Sequence, residues 1–196
     1  HSPLWSEPLF RTGIVSRLGR RFTTERSQAN LKQCARLLSL APSMVETREL
    51  LRGMSQGLAG NKVDQIPDEL EKTFQKLWKR ETPDAEMIQV AVRLGSQEAL
   101  VIGLKMLEKK ATADSDRIAL FQLLAERGDA RVLTPLLHLL GDPSSSSELK
   151  SKVLAATQSF SDDRVAQAIL GELKNFDRTL LGKALTCLLY TSDAAD

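Results

Sequence analysis

The groups with which this 196-residue chain could do chemistry are few: two histidines, two cysteines and a set of scattered acids. His138 is the only histidine inside the chain, since His1 stands at its start. A metal site takes two or more protein ligands, often three or four residues apart on a helix. Asp142 is the one suitable neighbour of His138 at that spacing. A structural or surface histidine is the better reading. No Ser–His–acid set can be assembled around it, and no acid pair marks a pocket. Cys34 and Cys187 fit neither Cys-x-x-Cys nor Cys-x-x-Cys-His, which gives no redox pair, metal site or haem attachment. Cys34 lies on an apolar stripe, where a cysteine acts as a small buried hydrophobe. Gly60-Asn61-Lys62 has the flavour of a phosphate loop but lacks the Gly-x-x-x-x-Gly-Lys-Ser/Thr spacing. The expectation is a chain that is not an enzyme and holds no cofactor or metal.

What remains is a surface that could bind. Four columns of residues recur at a fixed offset of 33: Glu98/Arg131/Arg164, Val101/Thr134/Gln167, Lys105/His138/Gly171 and Glu108/Gly141/Lys174. Steps of three and four residues put these columns on one face of a helix. Glu98, Lys105, Arg131, Thr134, His138, Arg164, Gln167 and Lys174 are therefore the candidate partner-binding residues. A mixed-charge helical face is, residue by residue, more often just solvated. Arg131 and Arg164 have a second available role, bracing neighbouring repeats through acids such as Asp129 or Asp163.

The elements that must position this face are repeats. Leu94-Gly95-Ser96-Gln97, Arg127-Gly128-Asp129-Ala130 and Phe160-Ser161-Asp162-Asp163 follow one another at 33 residues. Leu104/Leu137/Leu170 and Leu107/Leu140/Leu173 share the offset, as do Ala99/Val132/Val165, Leu100/Leu133/Ala166 and Gly103/Leu136/Ile169. Self-similarity at this length marks a helical solenoid, in which stacked units bury faces that no unit can bury alone. First helices are expected at about 83–94, 114–127 and 146–160, second helices at about 97–109, 130–141 and 163–174, and a further first helix at about 178–189. Ser96, Asp129 and Asp162 suit N-caps, Gly95 and Gly128 suit left-handed helix ends, and Ser145-Ser146-Ser147-Glu148 reads as a capping box. The columns set an inward face, on which Leu137→Ala is expected to cost roughly 2–5 kcal/mol. Lys183, Lys150 and Arg117 extend the register at 33 residues.

Before the array, Ile14, Leu18 and Phe22 predict a short amphipathic helix over about 13–24, with Arg17, Arg20 and Arg21 on its other faces. Leu31, Cys34, Ala35 and Leu38 predict a second helix over about 28–39. Ser43-Met44-Val45-Glu46 is a capping box for a third, lined by Val45, Leu50, Leu51, Met54 and Leu58. Pro67, Asp68 and Glu69 open a fourth, with Trp78 continuing its apolar stripe. The 33-residue period does not extend cleanly into residues 1–80. The expected organisation is an irregular segment at 1–11, a repeat domain at 12–186 and a non-native tail at 187–196. The tail string, from Cys187-Leu188-Leu189-Tyr190 to Asp196, resembles a translated sequencing adapter. His1 opens the chain without Met or a signal-peptide pattern, so the compartment is not legible there.

Composition agrees with an all-α protein of about eleven helices arranged as an α-solenoid of antiparallel pairs. Aromatic residues are 5%, while Leu and Ala abound. With 27 Lys+Arg against 25 Asp+Glu, the chain lacks the basic excess of a nucleic-acid module. No run of about 18 apolar residues exists to span a bilayer. The expected partners are a protein or neighbouring domains of the same chain, with no nucleic acid and no membrane insertion. Two alternatives stay open. One is a nucleic-acid-binding α-solenoid of the DNA-glycosylase kind. The other is a HEAT-like chromophore lyase, for which Glu98 or Glu108 would supply the acid.

One further pattern runs through Arg20-Arg21-Phe22, Cys34-Ala35-Arg36-Leu37-Leu38, Leu50 to Gly60, Ile66-Pro67, Leu77-Trp78 and Val92-Arg93-Leu94-Gly95. Over about residues 12–186 it resembles the HEAT-like helical region of the planctomycete-type membrane-bound dehydrogenase and haem-binding proteins. The resemblance implies a spacer between an N-terminal β-propeller and a C-terminal cytochrome c domain, in a bacterial extracytoplasmic protein. No residue here matches the family's Cys-x-x-Cys-His haem motif, so neither haem ligation nor dehydrogenase activity carries over to any position.

Overall fold

The computed structural model describes residues 3–61, 63 and 65–192. Among them are eleven α-helices, short 3-10 and π segments, and no strand. The protein is all-α, as the composition predicts. It divides into two compact units, residues 1–101 and 102–196.

The first unit holds α1 (Val15–Glu25), α2 (Gln28–Leu40), α3 (Met44–Gly57), α4 (Asp68–Arg80), α5 (Ala85–Arg93) and the start of α6 (Gln97–Glu108). The first three helices each pack on the helix two ahead: α1 on α3, α2 on α4, α3 on α5. The same order shows in polar contacts between residues 33 to 37 apart, namely Arg48–Glu81, Arg11–Glu46 and Lys32–Glu69. Spacings this uneven explain why a strict 33-residue period cannot be read there. The segment expected to be irregular is partly ordered. Pro3–Ser6 is a 3-10 turn, and Phe10–Ile14 is a π turn that leads into α1. Trp5 is buried and meets the Phe10 ring edge-on, with centroids 5.2 Å apart.

The expected inward stripe of α1 is displaced by one residue. Val15, Gly19 and Thr23 are buried, while Ile14 is 39% exposed and Leu18 and Phe22 are half-buried. The cause is close approach of backbone to backbone. A Cβ on Gly19 would lie 2.6 Å from the Leu50 carbonyl oxygen. One on Gly53 would overlap the Ser16 carbonyl, and one on Gly57 the Thr23 hydroxyl and Arg20 carbonyl. Gly53 and Gly57, four apart on α3, thus meet Ser16 and the Arg20–Thr23 turn of α1, while Gly19 of α1 meets Leu50 and Met54 of α3. Small residues at this spacing let two helices meet along their main chains. The Thr23 hydroxyl sits 2.8 Å from its own helix's Gly19 carbonyl and 3.1 Å from the Met54 carbonyl of α3. On α3, Val45 is exposed rather than inward, and Glu46 and Thr47 take the buried places.

The second unit holds the rest of α6, then α7 (Asp114–Glu126), α8 (Leu133–Gly141), α9 (Ser147–Thr157), α10 (Asp163–Glu172) and α11 (Arg178–Ser192). The pairing is again α7 on α9, α8 on α10 and α9 on α11. A 3-10 turn over Ala130–Val132 leads into α8, so Pro135 falls in the first helical turn, where no N–H is needed. Gly128 closes α7 at φ 72°, as expected of a left-handed C-terminal glycine. Gly95 does the same after α5 at φ 94°. Ser96, Asp129 and Asp162 accept hydrogen bonds from the backbone at the expected corners. The capping box shifts by one residue: Ser146, not Ser145, is the N-cap of α9 and accepts from the Leu149 amide.

One column is corrected, and Ala166 and Leu173 of two others are only half-buried. Val132, Leu133, Leu136, Leu140, Val165 and Ile169 are buried as expected, together with Ala99, Leu100 and Leu107. Leu104 and Leu137 are only half-buried, however, and Leu170 is 57% exposed. Leu139 turns inward instead. The register of the last first-helix also changes. Its N-cap is Asp177, which accepts from the Thr179 and Leu180 amides, 31 residues after Ser146 rather than 33. Lys183 therefore does not stand where Lys150 and Arg117 stand. Residues 187–192, expected to lie outside the native protein, continue α11, and 193–196 lie outside the described residues.

Candidate partner-binding face

All eight candidate residues are exposed. Seven belong to the second unit, on α6, at the 3-10 turn before α8, and on α8, α10 and the 3-10 turn that follows. Glu98 belongs to the first. The second helices are therefore two-sided. On α8, Leu133, Leu136 and Leu140 are buried, and Thr134 and His138 between them face out. On α10, Val165 and Ile169 are buried and Arg164 and Gln167 face out. The periodicity of three and four separates the two sets.

The two arginines are held from the same position in each repeat. Arg131 presents Nε and Nη2 to the two oxygens of Asp129 at 3.0 and 2.8 Å. Arg164 does the same to Asp162 at 2.9 and 2.8 Å. Each aspartate also accepts the backbone N–H of its arginine, at 2.9 and 3.0 Å. One carboxylate thus starts the helix and clamps the guanidinium, a bidentate geometry specific to arginine. The Arg131 hydrogen bond holds the Asp129 carboxyl below its ordinary range. The Arg164 bonds hold that of Asp162 down at about 2. Of the acids named for the alternative bracing role, Asp129 does pair with Arg131, but within one corner, and Arg164 takes Asp162 rather than Asp163; among the described residues neither pair bridges two repeats. The guanidinium planes are fixed in direction while remaining half exposed, at 54% and 56%.

The other candidates are less committed. His138 Nδ1 lies 3.6 Å from Glu108 Oε1, beyond hydrogen-bond reach. Lys105, Thr134, Gln167 and Lys174 make no side-chain hydrogen bond or ion pair among the described residues. They form a polar surface with free donors and acceptors. His138 gathers no ligand set, and no group of three or more His, Cys, Asp or Glu residues that could hold a metal occurs among the described residues. Burial pushes the Cys34 thiol up to about 12, which makes it a packing group rather than a nucleophile.

Glu98 sits in a cluster that sequence reading missed. It accepts from Gln75 Nε2 of α4 at 2.8 Å. Beside it Ser96, the buried N-cap of α6, donates its hydroxyl to Glu71 Oε1 at 2.9 Å. Glu71 Oε2 is buried with no hydrogen-bond partner among the described residues. Burial raises the Glu71 carboxyl above its ordinary range, and the nearby Glu98 charge adds to this. Glu71 and Gln75 are four apart on α4, a spacing legible in sequence, but their pairing with residues more than 20 positions away is not.

A second missed cluster ties the π turn to α3. Arg11 donates Nε to Glu46 Oε1 at 2.6 Å, and its Nη2 pairs with the same oxygen. The Ser43 hydroxyl donates to Glu46 Oε2 at 2.5 Å. The Ser43 bond and the Arg11 charge hold the buried Glu46 carboxyl below its usual range despite desolvation. Ser43 and Glu46 were legible as a capping box, whereas Arg11 lies 35 residues away and was not.

No helix among the described residues is long and apolar enough to cross a membrane. Comparison with family models, with curated proteins and with solved structures finds no match to this chain.

Proposed function

We propose that this chain is a non-catalytic HEAT-like scaffold that binds a protein partner, or spaces neighbouring domains, through the outward face of its second helices. The observation that supports the reading is the two-sidedness of α8 and α10. Their apolar residues are used within the unit, and the polar columns between them stay exposed, with two arginines already oriented by aspartates. A face of this kind lowers the ordering cost of binding, because each guanidinium loses little freedom when a partner docks. The same clamps weaken the nucleic-acid alternative, since Arg131 and Arg164 offer phosphate a charge already neutralised by a carboxylate. The likeness to the planctomycete-type dehydrogenase and haem-binding proteins supports a spacer role between redox domains.

The test is to read the source gene past both ends and to titrate the purified chain with haem. The scaffold reading expects a helical circular dichroism spectrum and no haem absorbance. Stoichiometric haem incorporation by this chain would overturn it. A propeller upstream and a Cys-x-x-Cys-His domain downstream would fix the spacer role. DNA binding that weakens steeply with salt, with a slope of several charges, would favour the nucleic-acid alternative instead.

A further inference from the structure

Two side-chain hydrogen bonds tie α4 to the start of α6, and a carboxylate accepts in each. Glu71 Oε1 accepts from the Ser96 hydroxyl at 2.9 Å, and Glu98 Oε2 accepts from Gln75 Nε2 at 2.8 Å. The two acids differ in their surroundings. Glu98 is exposed, so water completes its shell. Glu71 is half-buried, and its Oε2 is enclosed with no hydrogen-bond partner among the described residues.

No cation among the described residues offsets that enclosure. From α6 the facing charge is Glu98, of the same sign. On α2, which also packs on α4, Lys32 is engaged with Glu69 at 3.1 Å. On α4 itself Lys72 acts on Glu69 as well. An ionised carboxylate with one oxygen shut away from donors is costly, whereas a neutral acid is far cheaper to enclose and keeps Oε1 as an acceptor. Burial and the Glu98 charge accordingly hold the Glu71 carboxyl above its ordinary range.

The Ser96 hydroxyl has a second task. As the N-cap of α6 it accepts from the Ala99 amide at 3.1 Å, and the Ser96 carbonyl accepts from the Leu100 amide at 3.2 Å. Ser96 itself is buried. An ionised Glu71 recovers its solvation by turning Oε2 out to water, which takes Oε1 away from Ser96. Water then enters beside Ser96 and competes for the Ala99 amide, so the first turn of α6 loosens. The second unit holds a counter-example. Ser146, the N-cap of α9, donates to Asp114 at 2.6 Å, but Asp114 has Arg117 against it at 3.2 Å.

We infer that Glu71 and Ser96 form a proton-operated latch, closed with the carboxylic acid and open with the carboxylate, that holds the first turn of α6 against α4. Glu98 stands on the released turn, yet the latch belongs to this corner and does not rest on the function proposed for the outward face.

The test is amide hydrogen exchange of the full chain by NMR from pH 4 to 8, expressed as protection factors so that intrinsic base catalysis is removed. Ala99 and Leu100 should lose at least threefold in protection as pH rises above about 4.3 through the Glu71 titration. Leu149, capped by Ser146, should not follow them. Glu71→Gln should abolish the dependence. Glu98→Gln, at an exposed position, should keep the latch and move the loss to lower pH. Protection at Ala99 and Leu100 that stays flat in the wild type, or that falls in step with Leu149, would overturn the inference. So would an equal fall in Glu71→Gln, or a transition left in place by Glu98→Gln.

Discussion

The two units join helices of the same kind by different means. In the first, α1 meets α3 along the main chain, through Gly19, Gly53 and Gly57, and a hydroxyl reaches across between them. In the second, α7, α8, α9 and α10 meet through branched apolar side chains such as Leu136, Val153 and Ile169. Glycine contacts tolerate no added atom, whereas leucine contacts tolerate no removed one. The first kind gives a fixed distance of approach, and the second gives a core whose loss is graded by volume.

The largest effect is expected where an apolar contact is complete. Leu136→Ala should cost roughly 2–5 kcal/mol in urea unfolding, since Leu136 has no exposed surface. Leu137→Ala, on its half-buried neighbour, should cost about 1 kcal/mol, because less surface leaves water there. Equal losses would erase the inward register. In the first unit, Gly53→Ala should cost roughly 2–3 kcal/mol, because the new methyl meets the Ser16 carbonyl and the helices must part. Gly171→Ala, which meets nothing within 4 Å, should be neutral or slightly stabilising. If both changes behave alike, the distinction between the units fails.

The acids sharpen the comparison by pH. Glu46 has a folded pKa below its unfolded value, so its contribution is present above about pH 4.3 and is lost as pH falls through the folded value. Glu71 has a raised folded pKa. The folded state therefore holds its proton longer, and stability falls as pH rises from about 4.3 through that raised value. Glu46→Gln should flatten the acid limb of a stability–pH curve measured by urea unfolding, and Glu71→Gln should flatten the opposite slope. The smallest effects are expected at the clamps. Asp129→Ala should cost about 1 kcal/mol as a lost N-cap, while Arg131→Ala should change stability by about 0.5 kcal/mol or less, because the guanidinium is more than half exposed.

The sequence made the helices of the second unit legible because their caps and apolar columns are local or strictly periodic. Asp129, Asp162 and Gly128 do in the structure what their types and offsets suggest. The inward face was misread where that logic failed. On α1 the eye follows Ile14, Leu18 and Phe22, but the packing follows the glycine side, since the partner helix comes close enough to exclude large residues. On α11 a two-residue change in cap spacing displaced the register, which only the Asp177 hydrogen bonds reveal. The candidate face was legible in its positions. Its internal clamps were legible in part, because Asp-x-Arg is a local pattern. The Glu71–Ser96 and Arg11–Glu46 contacts were not, because nothing in one dimension pairs residues 25 and 35 apart.

If the outward face of α8 and α10 is left over from folding, and so free for a partner, its side chains should be removable at no cost to the fold. A single chain carrying Thr134→Asp, His138→Asp and Gln167→Asp should unfold in urea at the wild-type midpoint with an unchanged slope, while Leu136→Ala loses several kcal/mol on the order of the core estimate above. A triple variant destabilised as much as Leu136→Ala would mean that this face is core, and would contradict its assignment as a binding surface.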